Sequence, residues 1–240
     1  MKLALAATLT ASVAAFAPTA NTKVGTQLNA AIDDLKSVAE KSNPVLKYYD
    51  PLQLASTTFY DDTNDATIGF LRHAEIKHGR VAMAAFVGYI VQSNGLLFPW
   101  PQNTAGTMID GSLSPPEQWD ALPDAAKWQI ILFVGFLEWF SEAAGTHYMR
   151  GGKPGDFPDF SENTDKMFHP VPFNLFDPFG FSKNASAEKK EEGLIKELNN
   201  GRLAQIGIMG FLAAQKVEGS VPLLKGVVSH YDGEPMAPFA

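Results

Sequence analysis

The sequence predicts an all-α membrane protein of three transmembrane helices, the first and third forming a crossed pair about a pseudo-twofold axis. Three observations carry this. Charge-free apolar runs at Val81 to Ile109, Trp128 to Leu137 and Leu203 to Gln215 each continue a helical segment. Two of those segments carry the same motif, and the motif sets a Glu and an Arg where neither has a partner on its own helix.

Composition excludes several classes at once. The chain has no cysteine, so a disulfide framework and a Cys-ligated metal site are ruled out. With 45% hydrophobic and 19% charged residues it can bury a sizeable apolar surface, which excludes wholesale disorder. The net charge of −7, with no cluster of Lys and Arg, argues against nucleic acid as a partner.

The first thirty residues read as targeting rather than fold. Residues 1–15 carry Lys2 and then an apolar run of small residues, the pattern of a signal peptide and too short to span a bilayer comfortably. Residues 16–30 contain Thr19, Thr22, Lys23 and Thr26 and no acid, the composition of an organelle transit peptide. Their removal takes away Lys2 and Lys23 and no acid, so the net charge falls from −7 to −9. Residues 31–240 are left as one domain.

Helices are expected at about 66–95, 123–148 and 186–217, each ended by Gly or Pro signals. At about 1.5 Å per residue, all three are long enough to cross a membrane. On hydropathy alone, core helices of a soluble bundle are the alternative. The charged positions decide against it. Glu75 to Gly88 (EIKHGRVAMAAFVG) and Glu197 to Gly210 (ELNNGRLAQIGIMG) share Glu, Gly, Arg, Ala and Gly at equal offsets. The match extends upstream, where Tyr49-Asp50-Pro51-Leu52 precedes the first copy and Phe176-Asp177-Pro178-Phe179 the second.

Within each copy, Glu and Arg lie about 140° apart around the helix and cannot pair well. Crossing the copies sets Glu75 against Arg202 and Glu197 against Arg80, removing four uncompensated charges from low dielectric. Gly79 and Gly201 beside the arginines permit close backbone approach. His78 and Asn200 share one offset, about 60° from their Glu, which is ligand chemistry suited to a hard Mg²⁺.

These residues resemble the chlorophyll-binding core of light-harvesting antenna proteins. The two motifs, the intervening helix, the Asp-Pro loops and the ending GSVPLLKG…YDGEPMAPF are most similar to fucoxanthin chlorophyll a/c-binding proteins of diatoms and related algae. Ala15-Phe16-Ala17-Pro18 resembles the signal-to-transit junction of precursors imported into plastids of secondary origin.

The resemblance implies the chlorophyll a/b-binding protein fold, multi-pass in the thylakoid membrane, with no catalytic residue. Implied cofactors are chlorophyll a, chlorophyll c and fucoxanthin, with a xanthophyll-cycle carotenoid as a further candidate. Implied partners are a photosystem core or other antenna subunits, thylakoid lipids and further copies in an oligomer. Carried over by motif, Glu75, His78, Glu197 and Asn200 are magnesium ligands, with Arg80 and Arg202 compensating the glutamates. Glu138, in Gly135-Phe136-Leu137-Glu138, matches the ligand of the middle helix, but Ser141 stands where the family has an Arg.

Other positions keep two readings. Gln129 is a pigment ligand, direct or through water, or a surface residue near a helix start. Gln215 is a weaker candidate, because the position where related antennae have Gln or His is Ala214. Asp50 and Asp177 resemble positions near carotenoid head groups, or they initiate turns. Glu142 reads as nearing the membrane surface. His73, His147, His169 and His230 have no repeat partner and read as interfacial or loop residues.

Two other functions compete. One is a photoprotective member of the same fold that dissipates excitation as heat. The other is a di-iron carboxylate bundle enzyme, suggested by Glu75-x-x-His78; that chemistry needs the motif twice, and the second copy ends in Asn200.

Overall fold

A computed structural model of the chain describes residues 24–59, 62–101, 104–161, 175–181, 184–235 and 237–239. The expected signal peptide, the first part of the expected transit peptide and His169 lie outside them. Among the described residues the protein is all-helical, with no strand.

The first helix, α1 (Val24–Ser42), has no counterpart in the sequence reading and runs unbroken through residue 30. Its acid-poor start has the composition of a targeting segment, and an amphipathic helical period follows. From residue 31 that period is plain. Ala31, Ile32, Leu35, Val38, Ala39 and Ser42 are partly buried, and Asp33, Asp34, Lys36, Glu40 and Lys41 point outward. Arg72 donates to Asp34 at 2.5 Å and Lys41 pairs with Glu191, so α1 is fastened to both copies of the repeat.

Helix α2 (Asn64–Ser93) begins where the Thr63 hydroxyl accepts the Ala66 N–H and ends at Asn94 and Gly95, the latter at φ +68°. A short α3 (Pro115–Asp120) follows, and Glu117 accepts both the backbone N–H and the hydroxyl of Ser114. Helix α4 (Asp124–Ala143) stops five residues short of the expected 148, because Ala144 is extended and Gly145 sits at φ +77°. Tyr148–Arg150 then form a separate 3-10 turn. Helix α5 (Ala187–Lys216) starts where Ser186 accepts the Lys189 N–H.

The repeat extends into the loops. Asp50 Oδ1 accepts the Leu54 N–H at 3.0 Å and Asp177 Oδ1 the Phe181 N–H at 2.7 Å. Each backbone carbonyl also accepts the N–H three residues on, where Gln53 (φ +52°) and Gly180 (φ +71°) are left-handed.

Helices α2 and α5 cross in direct contact, and the crossing is tightest at Gly79 and Gly201. A Cβ built on Gly201 would lie 2.9 Å from the Gly79 Cα, and one on Gly79 3.1 Å from the Gly201 Cα. Further along, Phe211 stacks on Phe86 and Tyr89. Helix α4 is set apart from this pair. Its Phe140 forms a small core with Phe160 and with Ala144 just past the helix end, and Trp128, Leu132, Phe133, Val134 and Trp139 are about half exposed or more.

Among the described residues, no helix is long and apolar enough to cross a membrane. The expectation of three spans rested on the charge-free runs and the repeated charges, and the extent of the charged segments accounts for the difference. Asp65, Arg72, Glu75, Lys77 and Arg80 fall within the first seventeen residues of α2, and the charge-free runs of α4 and α5 each fall short of about 20 residues.

Candidate functional site

The crossing of α2 and α5 brings the repeated charges together. Arg202 donates Nε–H to Glu75 Oε1 at 2.7 Å, and Arg80 donates Nε–H to Glu197 Oε1 at 2.5 Å. Each arginine has a further anchor: Arg80 Nη1 reaches the Gly155 carbonyl at 2.6 Å, and Arg202 Nη1 the Ser42 hydroxyl at 3.4 Å. Each glutamate engages its arginine through one oxygen. The glutamate side chains retain about a third of their surface, 35% for Glu75 and 29% for Glu197, so the second oxygen remains approachable.

Both ion pairs border clefts. Arg80 and Glu197 line one of about 630 Å³ together with Phe157, Phe176, Phe181 and Leu194. Glu75 and Arg202 line another of about 330 Å³, closed on one side by Leu35 and Val38 of α1. The pseudo-twofold relation of the pairs therefore does not extend to their surroundings.

His78 is exposed on α2, and its ring is oriented from behind. Nδ1 lies 2.8 Å from the Ala74 carbonyl, which assigns the proton to Nδ1 and leaves the Nε2 lone pair facing outward. A histidine that ligates a metal is usually prepared in this way. Asn200, at the matching offset of α5, is also exposed.

Glu138 projects from α4 and receives the Lys77 ammonium at 2.5 Å. Sequence reasoning did not single out Lys77. The counter-charge missing at Ser141 comes from a different helix. Glu142 is set in a network, 3.5 Å from Lys77, 2.7 Å from His147 Nε2 and 3.4 Å from the Tyr148 hydroxyl. Burial and the adjacent Glu142 carboxylate push the Tyr148 phenol up to about 12.

The remaining candidates diverge. Gln129 is exposed near the start of α4. Gln215 is fully buried, its Oε1 accepts the Tyr89 hydroxyl at 2.7 Å and its backbone carbonyl accepts the Tyr231 N–H. Its oxygen is thus engaged within the helix pair. The Asp50 carboxyl is held below its ordinary value by the Ala55 N–H foremost, with help from the Leu54 N–H and the Tyr48 hydroxyl. His73 is buried in α2, stacked on Tyr148 and accepting the Gly155 N–H through Nδ1.

Among the described residues, no three His, Asp or Glu gather into a site for a free metal ion. The donors stand singly on helix faces beside apolar surface. Each could give one donor atom to a metal that some other group already holds.

The family model for chlorophyll A-B binding protein matches residues 31–216. The chain belongs to this chlorophyll-binding family. It is 34% identical over 232 residues to a chloroplastic fucoxanthin-chlorophyll a-c binding protein of Trieres chinensis, covering 93% of this chain and 98% of that one. It is also 34% identical over 225 residues to fucoxanthin-chlorophyll a-c binding protein A of Phaeodactylum tricornutum, covering 92% and 99%. A Macrocystis pyrifera relative, binding protein B, is 30% identical over 184 residues, covering 76% and 74%. The span matched by the chlorophyll-binding family contains both ion pairs, Lys77, His78, Glu138 and Asn200.

Proposed function

We propose that this protein is a light-harvesting antenna that binds chlorophyll a, chlorophyll c and fucoxanthin and passes excitation to a photosystem. No bond is made or broken, so it has no catalytic residue. The observation that carries the reading is the reciprocal pair Glu75–Arg202 and Glu197–Arg80. Each offers a carboxylate whose charge is already neutralised, at the edge of a cleft lined by both apolar and charged side chains.

The residues present suit a chlorophyll magnesium, to which each could give a single donor atom. Glu75 and Glu197 would supply it from a neutralised pair, His78 through its outward Nε2, and Asn200 and Glu138 through side-chain oxygens. Gln129 is a further exposed donor. Gln215 is not retained as a direct ligand, because its oxygen accepts the Tyr89 hydroxyl. Asp50 and Asp177 shape loops whose proposed role is to meet carotenoid head groups. Bound chlorophyll and fucoxanthin supply absorption in the visible, and the chain's own work is to fix their separation and orientation.

Helices α2, α4 and α5 cross the thylakoid membrane in this reading. Support comes from the paired charges at the crossing, since an unpaired Arg or Asp at a helix centre costs about 2.5–3.5 kcal/mol in a membrane. More comes from the uncovered side chains Val81, Val87, Leu203, Ile206 and Met209, each more than half exposed. Lipid, pigment and neighbouring antenna subunits or further copies cover such surface. The first thirty residues direct the precursor to the plastid.

Pigment extraction from the protein purified in mild detergent tests the proposal. Chlorophyll a, chlorophyll c and fucoxanthin co-purifying with the chain are expected; a folded, colourless protein would overturn it. A chlorophyll excited-state lifetime that stays long on acidification separates harvesting from dissipation as heat.

A further inference from the structure

The two copies of the repeat differ in formal charge at a single offset within their first six residues, Lys77 in one and Asn199 in the other (His78 being taken as neutral). The structure shows what each reaches. Asn199 donates its amide N–H to the Ser42 carbonyl at the end of α1, 3.1 Å away. Lys77 turns to α4, 2.5 Å from Glu138 and 3.5 Å from Glu142.

We infer that Lys77 is a positioning residue that neutralises Glu138, so that this carboxylate can serve as an axial chlorophyll ligand although its own helix lacks an arginine. The inference rests on the antenna reading above. Lys77 is to Glu138 what Arg202 is to Glu75, a cation from another helix engaging one oxygen of a carboxylate. The difference lies in position. At α2 and α5 the glycines allow direct helix contact, whereas α4 stands apart from α2 and Lys77 reaches it with a long, flexible side chain. Lysine has that reach, with a point charge that can lean on either of two glutamates. Glu142 divides its oxygens between His147 and Tyr148, which leaves Glu138 as the nearer partner of Lys77.

The test uses the full chain reconstituted with chlorophyll a, chlorophyll c and fucoxanthin, reading chlorophyll per chain and helix content by circular dichroism. Lys77→Met is expected to lose one chlorophyll with helix content kept, as is Glu138→Leu, and Lys77→Arg to keep the full complement. Ser141 lies one turn beyond Glu138 on the same helix, so Ser141→Arg supplies a cation without bridging to α2. It should restore the lost chlorophyll to Lys77→Met, and should also rescue assembly if that variant alone fails to assemble. Failure of Ser141→Arg to restore the pigment would show Lys77 to be only a structural tether, overturning the inference. So would a full complement in Lys77→Met or in Glu138→Leu. Each of those outcomes leaves the wild-type antenna standing, whereas a colourless wild type removes the proposed function itself.

Discussion

Gly201 of α5 faces Gly79 of α2 so closely that a Cβ on Gly201 would meet the Gly79 Cα at 2.9 Å. That approach sets the distance across which both arginines reach the opposite glutamates. Gly201→Val forces the backbones apart and lengthens both ion pairs together. Loss of pigment from both repeat sites, read as chlorophyll per chain after reconstitution, is expected rather than loss from one. Retention of the wild-type complement would mean the crossing adapts.

The ion pairs make a second prediction. Arg202→Leu strands the Glu75 carboxylate in low dielectric, at about 2.5–3.5 kcal/mol in a membrane setting. Adding Glu75→Gln removes the stranded charge and keeps an oxygen donor. Reconstitution yield should fall in the single variant and recover substantially in the double. Equal yields for Arg202→Leu and wild type would show that the pair does not hold the helices.

Gln215 tests the boundary between ligand and scaffold. Its buried side chain accepts the Tyr89 hydroxyl, so Gln215→Leu leaves that hydroxyl without a partner, at about 1–3 kcal/mol. The expected result is a lower thermal midpoint with the chlorophyll count unchanged. A missing chlorophyll at unchanged stability would return Gln215 to the ligand set.

Acid should act on the first Asp-Pro loop in one direction only. Hydrogen bonds from Ala55, Leu54 and Tyr48 hold the Asp50 carboxyl below its unfolded value of about 3.9. A depressed folded value means the stabilisation is complete above that pH and is lost as pH falls through the lower folded value. Thermal unfolding of wild type and Asp50→Asn should therefore differ by a constant amount from neutral pH down to about 5, and converge only below about 4. Convergence already at pH 6 would contradict this.

How much of this was legible in the sequence depends on the physics behind each feature. The crossed pair was legible because Glu and Arg repeat at one offset and cannot satisfy each other within a helix. The starts of α2, α4 and α5 were legible within about two residues because Thr63, Pro123 and Ser186 are local signals. The end of α4 was misplaced because the turn depends on Gly145 taking a left-handed conformation, and glycine is compatible with either outcome. Helix α1 was missed although its period is visible from residue 31, because its acid-free first turns read as the end of a targeting segment. The partner of Lys77 was not legible at all, since it depends on which helix stands alongside. Its trace was the mismatch between Lys77 and Asn199, the one offset in the first six residues where the motifs differ in formal charge.

If the chain holds fucoxanthin and chlorophyll close enough to share excitation, a fluorescence excitation spectrum of the purified protein reads it out. With emission monitored at chlorophyll a, clear bands from fucoxanthin and chlorophyll c are expected. Chlorophyll a emission driven by its own absorption alone, with carotenoid present but silent in the excitation spectrum, would contradict it.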